Sequence, residues 1–163
     1  MMMIRFLLVL LIICQICSAQ EKRQGNVDAM VNYVISKNMN RDALMASPEG
    51  MAYFFTITLV FNSEGKVDTG FYSKNLDKKV EAVMGLNASL IRKIKEQDVT
   101  YRTYASKVAV VPIFFFRRTD TGIDYGTGFI KAIQNLLPKD EPKLWGKSWV
   151  IFDPVINPFM KTH

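Results

Sequence analysis

The chain is poor in the residue types that most often carry catalysis or bind metals. It has one histidine, His163 at the last position, and two cysteines, Cys14 and Cys17. A histidine-based catalytic triad or a histidine metal site is therefore not expected. The nearest candidate pair of carboxylates, Asp120 and Asp124, lies in a glycine-bearing loop that lacks the closing glutamate of a calcium loop, which favours solvated turn acids. The residue content predicts a protein that is not an enzyme and has no cofactor.

Both cysteines lie in an N-terminal stretch with the pattern of a secretory signal peptide. Arg5 precedes an apolar run over residues 6–13, and Cys17 and Ala19 occupy the small positions of a cleavage site. We expect residues 1–19 to be removed, which leaves a mature chain without cysteine. The apolar run is shorter than the ~20 residues that cross a bilayer, so stable membrane insertion is not expected.

Lipidation at Cys14 or Cys17 is the alternative fate of this stretch. A lipoprotein signal places a small residue directly before the modified cysteine, whereas Ile13 and Ile16 hold those positions here. The pattern therefore favours export by a cleaved signal peptide to the periplasm. An extracellular or outer-membrane-associated location is the alternative.

The composition is typical of a chain with a packed core. The 163 residues are 49% hydrophobic and 12% aromatic, which is enough apolar content for one domain of ordinary size. We expect a domain over residues 20–118 and a C-terminal extension over residues 119–163 that packs on the same domain. The formal net charge is a modest +6, which in an exported chain favours a solvated surface over a nucleic acid partner.

Residues 52–72 carry the clearest local pattern, that of a β-hairpin. Alternating apolar side chains of the first strand share one face: Phe55, Ile57, Leu59 and Phe61. Ser63, Glu64 and Gly65 fit a three-residue loop in which the glycine takes the left-handed conformation. That loop predicts a register with three apolar or near-apolar pairs: Phe61 with Val67, Leu59 with Thr69, and Ile57 with Phe71.

Apolar stripes at helical spacing flank the hairpin. The first stripe, over residues 27–37, begins after a suitable N-cap at Asn26. After the hairpin, Gly85 interrupts a second stripe, and Asn87 suits the N-cap of a further helix. We therefore expect one helix before the hairpin and, after it, two short helices or one kinked helix, with their stripes in the core.

Residues 107–117, KVAVVPIFFFR, predict a third strand that is buried on most of both faces. Pro112 cannot donate a ladder hydrogen bond, so the strand is expected to lie at an edge there or to carry a bulge. An edge strand can pair with an extended segment of a binding partner. The predicted partner-binding edge consists of six residues: Lys107, Val108, Val110, Pro112, Phe114 and Phe116.

The C-terminal extension has weaker patterns. Apolar spacing over residues 129–137 predicts one helix, which Pro138 ends. Residues 149–152 favour a short final strand, and Pro154 and Pro158 indicate an extended tail.

This order of elements resembles the C-terminal domain of TonB-type energy transducers. The resemblance covers residues 28–116 and rests on Tyr33, Val34 and Ile35 in the first helix; Glu64, Gly65, Lys66 and Val67 at the turn; Leu76 and Asp77 at the next helix start; and Val111, Pro112, Ile113 and Phe115 in the third strand. It implies an α+β fold in which a small antiparallel sheet, the hairpin plus the third strand, carries helices on one face. The anchor and proline-rich spacer of the transducers have no counterpart here, so energy transduction is not implied.

Two functional hypotheses follow from these patterns. The first is an exported, non-enzymatic interaction module of the bacterial envelope that binds an envelope protein by strand addition at a sheet edge. The alternative is a periplasmic carrier or sensor of a small apolar ligand, which the many phenylalanine and methionine residues would suit. A free sheet edge would favour the first hypothesis, and an apolar ligand found with the purified protein would favour the second.

Overall fold

The computed structural model describes residues 26–97, 99–122 and 132–160. Helices and strands follow one another along these residues with the following bounds: α1 Val27–Asn38, α2 Arg41–Met45, β1 Ala52–Phe61, β2 Val67–Tyr72, α3 Lys78–Met84, α4 Ala88–Lys95, β3 Val108–Arg117, β4 Trp149–Ile151 and β5 Val155–Phe159. Short 3-10 helices lie at Arg102–Tyr104 and Pro142–Leu144.

The strands form one mixed sheet in the order β2–β1–β3–β4, and β5 also pairs with β3. β1 runs antiparallel to β2 and β3, whereas β4 and β5 run parallel to β3. The α+β class predicted from the sequence is confirmed. The prediction of a small antiparallel sheet of three strands is wrong, because the C-terminal residues return along the far side of β3 and add two parallel strands.

One face of the sheet, here called the core face, carries the main hydrophobic core. Alternate side chains of β1 and β3 are buried on it: Tyr53, Phe55, Ile57, Leu59, Phe61, Ala109, Val111, Ile113 and Phe115. The helices contribute buried side chains to the same cluster, among them Val31, Ile35, Met84, Leu90 and Ile94. Each large side chain of this kind stabilises the fold by about 1.5–3 kcal/mol when it leaves water, so this face is the main source of stability.

α3 and α4 are separate helices because of two residues between them. Gly85 ends α3 with φ +65°, and a Cβ at this position would lie 2.6 Å from the carbonyl oxygen of Asn38. Asn87 begins α4, since its side-chain oxygen accepts hydrogen bonds from the N–H groups of Ser89 and Leu90. The sequence left open two short helices or one kinked helix, and the structure has two short helices.

The hairpin turn is built as the sequence predicts. Gly65 has φ +81°, and its N–H donates to the carbonyl of Asn62 at 3.1 Å. The side-chain oxygen of Asn62 accepts from the N–H groups of Glu64 and Lys66. The N–H of Tyr101 donates to the carbonyl of Gly65 at 2.7 Å, which ties the turn to the segment that precedes β3.

The register of the hairpin beyond its turn differs from the prediction. The first pair, Phe61 with Val67, is as predicted. Asp68 is then an extra residue in β2, a β-bulge that moves every later pair by one residue. The predicted partners of Thr69 and Phe71 are therefore wrong. Because a shift of one residue exchanges the faces of a strand, Phe71 packs on the side of the sheet opposite the core face.

That opposite side, here called the second face, is partly covered by C-terminal residues. The hydroxyl of Thr56, which is fully buried, donates to the carbonyl of Leu136. Leu144 forms a small apolar cluster with Val60 and Val108. The C-terminal extension therefore packs on the sheet with its described residues before β4, and it joins the sheet through β4 and β5.

Some predictions fall on residues outside the described ranges. The signal peptide over residues 1–19 is one of them and stays a prediction. The helix predicted over residues 129–137 is described only from residue 132, and residues 132–134 are helical.

Tyr101 closes the core beneath the hairpin turn. Its side chain is 3% exposed, and its ring meets the ring of Phe61 edge-on with 5.7 Å between centroids. Its phenol oxygen has no hydrogen-bond partner among the described residues. Burial raises the pKa of Tyr101 from 10.0 to about 12, because a phenolate in this position would lose its hydration.

Replacing Tyr101 with phenylalanine should raise the free energy of unfolding at neutral pH by about 1 kcal/mol, because it removes an unpaired buried hydroxyl. Because the pKa of Tyr101 is raised in the folded state, folding favours the protonated phenol over the phenolate. The stability that comes from this preference is fully present below pH 10.0, and it is lost as the pH rises through about 12. Urea unfolding across this interval should show a smaller alkaline loss in the variant than in the wild type. Tyr33→Phe, at a residue that is 56% exposed, is the control, and equal alkaline losses in both variants would contradict the assignment.

Candidate functional site

The binding edge predicted from the sequence is not a free edge, because β3 is an interior strand. From Val108 to Phe116 it pairs with β1 on one side. On its other side, Val108–Val110 pairs with β4 and Ile113–Arg117 pairs with β5. The carbonyl of Lys107, just before the strand, accepts the N–H of Phe61 at 2.9 Å. The prediction of an edge is therefore wrong for the six residues that were assigned to it: Lys107, Val108, Val110, Pro112, Phe114 and Phe116.

The position of Pro112 explains why the sequence indicated an edge. The N–H of Val108 donates to the carbonyl of Ser148, and the N–H of Phe152 donates to the carbonyl of Val110. Alternation along the strand then turns the nitrogen of Pro112 to that same side, away from β1. It falls between the last pair with β4 and the first pair with β5, where the ladder is interrupted. The proline therefore costs no ladder hydrogen bond.

The free edge on this side of the sheet belongs to β4 and β5. We call it the β4–β5 edge and define it as residues 149–159. Ser148 and Phe152 make hydrogen bonds to β3, so alternation turns the backbone N–H and C=O groups of Trp149 and Ile151 away from β3. Within the described part of the chain, no strand pairs with these outward groups.

β5 continues the same edge. The carbonyl of Phe159 accepts the N–H of Arg118 at 2.8 Å, so alternation turns the backbone of Ile156 outward. Pro158 also faces outward, where its missing N–H breaks no bond of the sheet. The edge thus offers backbone donors and acceptors at Trp149, Ile151 and Ile156.

The side chains of these three residues form an exposed apolar strip. Each pairs in register with a second-face residue of β3, so all three project from the second face. Trp149 is 41% exposed, Ile151 67% and Ile156 61%. Beside them, the rings of Phe114 and Phe116 stack with 5.5 Å between centroids. Contiguous exposed apolar side chains of this kind are typical of protein-binding surfaces.

The opposite edge of the sheet, β2, is less available. Directly after β2, the N–H of Lys74 donates to the carbonyl of Leu137 at 3.1 Å. At the start of β2, the ammonium of Lys143 lies 3.4 Å from the carboxylate of Asp68. C-terminal residues therefore flank both ends of this edge, and the bulge at Asp68 interrupts its ladder.

A buried ion pair lies where β3 ends. Nη1 of Arg117 is 3.5 Å from Oδ1 of Asp120, and the two side chains are only 9% and 7% exposed. The other carboxylate oxygen of Asp120 accepts the N–H of Gly50 at 2.7 Å. Arg117 also donates to the carbonyl of Ser47, and its guanidinium lies 5.9 Å from the ring centre of Phe159. The cluster links the loop before β1 to the end of β3 and to β5. We therefore assign it a structural role.

The described residues contain no cluster of side chains suited to a metal ion. Across residues 26–97, 99–122 and 132–160, no three histidine, cysteine, aspartate or glutamate side chains gather closely enough to hold one. Asp120 is already held by Arg117 and Gly50, and Asp124 lies outside the described ranges. Nor does any helix in the described part combine the length and apolar character needed to cross a membrane.

A pocket of about 500 Å³ lies beside the hairpin turn. Most of the side chains that line it are polar or charged: Ser63, Glu64, Lys66, Thr100, Arg102 and Ala105. A site for an apolar ligand needs predominantly apolar walls with few polar groups. This lining therefore does not favour the carrier or sensor alternative.

Sequence reasoning missed most of the β4–β5 edge. Residues 149–152 favoured a short strand, but Pro154 and Pro158 indicated an extended tail and not a second strand. The available signal was the run of strand-favouring apolar residues over 149–152, which resumes at Val155 and Ile156 in β5. Proline masked that signal, although the outward nitrogen of Pro158 is compatible with an edge strand.

Comparison of the chain with protein-family models, with curated proteins and with solved structures found no match. The resemblance to the TonB C-terminal domain therefore stays a prediction from the sequence. The β4–β5 edge, with its outward backbone groups and exposed apolar side chains, is the feature from which a function can be inferred.

Proposed function

We propose that the protein is an exported, non-enzymatic interaction module of the bacterial envelope that binds a protein partner by strand addition at the β4–β5 edge. The observation that carries the proposal is the coincidence of outward backbone groups and exposed apolar side chains at Trp149, Ile151 and Ile156. A partner strand would gain ladder hydrogen bonds from the backbone and apolar burial from the side chains.

The edge favours a short partner segment. β4 has three residues and β5 has five, and Pro154 and Pro158 limit the backbone donors along the edge. Short strands and prolines are devices that prevent open-ended pairing of sheet edges. The segment that fits is therefore a few residues long, extended, and apolar at alternate positions so that it covers Trp149 and Ile151.

Export is the part of the proposal that rests on the N-terminal sequence. Residues 1–19 have the basic start, apolar run and small cleavage positions of a signal peptide. Cleavage would deliver the domain to the periplasm, where an envelope protein is the expected partner. An extracellular or outer-membrane-associated location is the alternative within the same proposal. Lipidation at Cys14 or Cys17 is the separate alternative to cleavage before Gln20.

A photo-crosslinking amino acid in place of Ile156 should give a discrete adduct with a protein of the periplasmic fraction, because this side chain would lie beside the bound strand. Mass spectrometry would identify the adduct, and the crosslinked chain should begin at Gln20. Adding Ile151→Glu should lower the adduct yield about tenfold or more, since a charge at an apolar contact disfavours docking.

The matched control carries the same crosslinker at Lys78, an exposed residue of α3. It should give no adduct of that mass. An adduct that appears equally from Lys78, or that persists unchanged with Ile151→Glu, would refute binding at the β4–β5 edge. A chain recovered with residues 1–19 still attached would refute the cleaved signal peptide.

A further inference from the structure

We infer that the partner at the β4 half of this edge is a second copy of the chain, paired antiparallel through β4 about a two-fold axis at Val150. The inference rests on the proposed function and names the partner of the same site. Its basis is that the residues around Val150 are complementary to themselves when they are read in the opposite direction.

The backbone geometry permits this pairing. In an antiparallel ladder, opposed residues whose N–H and C=O groups face each other form a hydrogen-bonded pair. Trp149 and Ile151 both present these groups outward. An axis at Val150 sets Trp149 of each copy against Ile151 of the other copy, so the outward groups of both residues are satisfied in both copies.

The apolar side chains match in this arrangement. Trp149 and Ile151 project from the second face, and opposed residues of an antiparallel pair lie on the same face. Each Trp149, 41% exposed in the single chain, would cover an Ile151 that is 67% exposed. The axis repeats this contact, so one register buries the whole β4 part of the apolar strip.

Charges match in the same register. Lys147 and Asp153 lie two positions beyond Trp149 and Ile151 along the chain. In this register, Lys147 of one copy lies opposite Asp153 of the other copy, and the two-fold axis forms this pair twice. Opposite charges at opposed positions stabilise an antiparallel pair. Among the described residues of the single chain, neither Lys147 nor Asp153 has an ion-pair partner.

The neighbouring registers that satisfy the outward backbone groups lack this match. An axis at Trp149 would set Lys147 against Ile151, which opposes a charge to an apolar side chain. An axis at Ile151 would set Trp149 against Asp153, with the same defect. The axis at Val150 opposes apolar to apolar and positive to negative, and it therefore defines the register of the inferred dimer.

Charge reversal across the axis tests the inference. Analytical ultracentrifugation of the purified wild-type chain, over a micromolar to millimolar series, should show a reversible dimer. Lys147→Glu and Asp153→Lys each oppose like charges twice, so each should raise the dimer dissociation constant about tenfold or more. The double variant restores opposite charges and should return the constant to within about threefold of the wild type. Lys78→Glu, the same charge change at an exposed site of α3, should leave it unchanged.

The outcomes separate this inference from the proposed function. A dimer that each single reversal weakens and the double reversal rescues supports the second copy in this register, provided that thermal melting shows the variants to be folded. A chain that stays monomeric, or a dimer that neither the reversals nor Ile151→Glu weakens, overturns it. If the chain is monomeric and the Ile156 crosslink captures a different protein, the second copy is refuted and the proposed function stands. If that crosslink is also absent, both fail.

Discussion

Replacing Gly65 with alanine should lower the free energy of unfolding by about 2–5 kcal/mol, from left-handed strain and steric overlap together. Gly65 has φ +81°, where a side chain is strained. A Cβ at this position would also lie 2.6 Å from the carbonyl oxygen of Tyr101, a distance that real contacts do not reach. Either the turn or the segment before β3 must move, and the hydrogen bond from Tyr101 to Gly65 is lost.

Two other glycines separate the two causes. Gly146 has φ +67°, but a Cβ there would meet no described atom within 4 Å, so Gly146→Ala should cost only the strain, about 1–2 kcal/mol. Gly122 has neither feature among the described residues, and Gly122→Ala should change stability by less than about 0.5 kcal/mol. Denaturant unfolding of the three variants should rank them in that order. Equal costs at Gly65 and Gly146 would show that the contact with Tyr101 is not made.

Replacing Asp120 with alanine should cost about 3–5 kcal/mol, because it leaves the buried charge of Arg117 uncompensated. The substitution also removes the acceptor of the Gly50 N–H. Only the carbonyl of Ser47 would remain as a hydrogen-bond partner of the guanidinium among the described residues. Urea unfolding of the variant beside the wild type measures the loss.

Two controls decide whether burial is the cause. The Arg92–Glu96 pair has side chains that are 71% and 62% exposed, so Glu96→Ala should cost no more than about 0.5 kcal/mol. Arg117→Met combined with Asp120→Leu removes both charges and should recover a large part of the stability lost in Asp120→Ala. A double variant that is less stable than Asp120→Ala would mean that the cluster acts through its hydrogen bonds and not through a desolvated charge.

The parts of the fold that could be predicted are those with local causes. The left-handed position of Gly65, the break at Gly85 and the cap at Asn87 each follow from the chemistry of one or two adjacent residues. The apolar stripe of α1 and the alternation in β1 are equally local, because the period of a helix or strand is visible in its own sequence.

The parts that could not be predicted depend on contacts between distant residues. The bulge at Asp68 is a property of the pairing between β2 and β1, and the sequence of β2 contains no mark of it. The parallel pairing of β4 and β5 with β3 joins residues about 40 apart, and no periodicity reports such pairing. The candidate site was misplaced for the same reason: Pro112 shows that a ladder is broken, but only the fold shows that two other strands meet at the break.

The central place of β3 also shapes the order in which the chain can assemble. Its apolar residues can pair with β1 as soon as the two strands exist, but β4 and β5 are synthesised only after β3. Until β4 and β5 pair with it, one edge of β3 has unpaired backbone groups beside apolar side chains. Nascent chains aggregate through strand edges of this kind. Pairing with β4 and β5 covers this side of β3, and a product that ends before Trp149 would lack that cover.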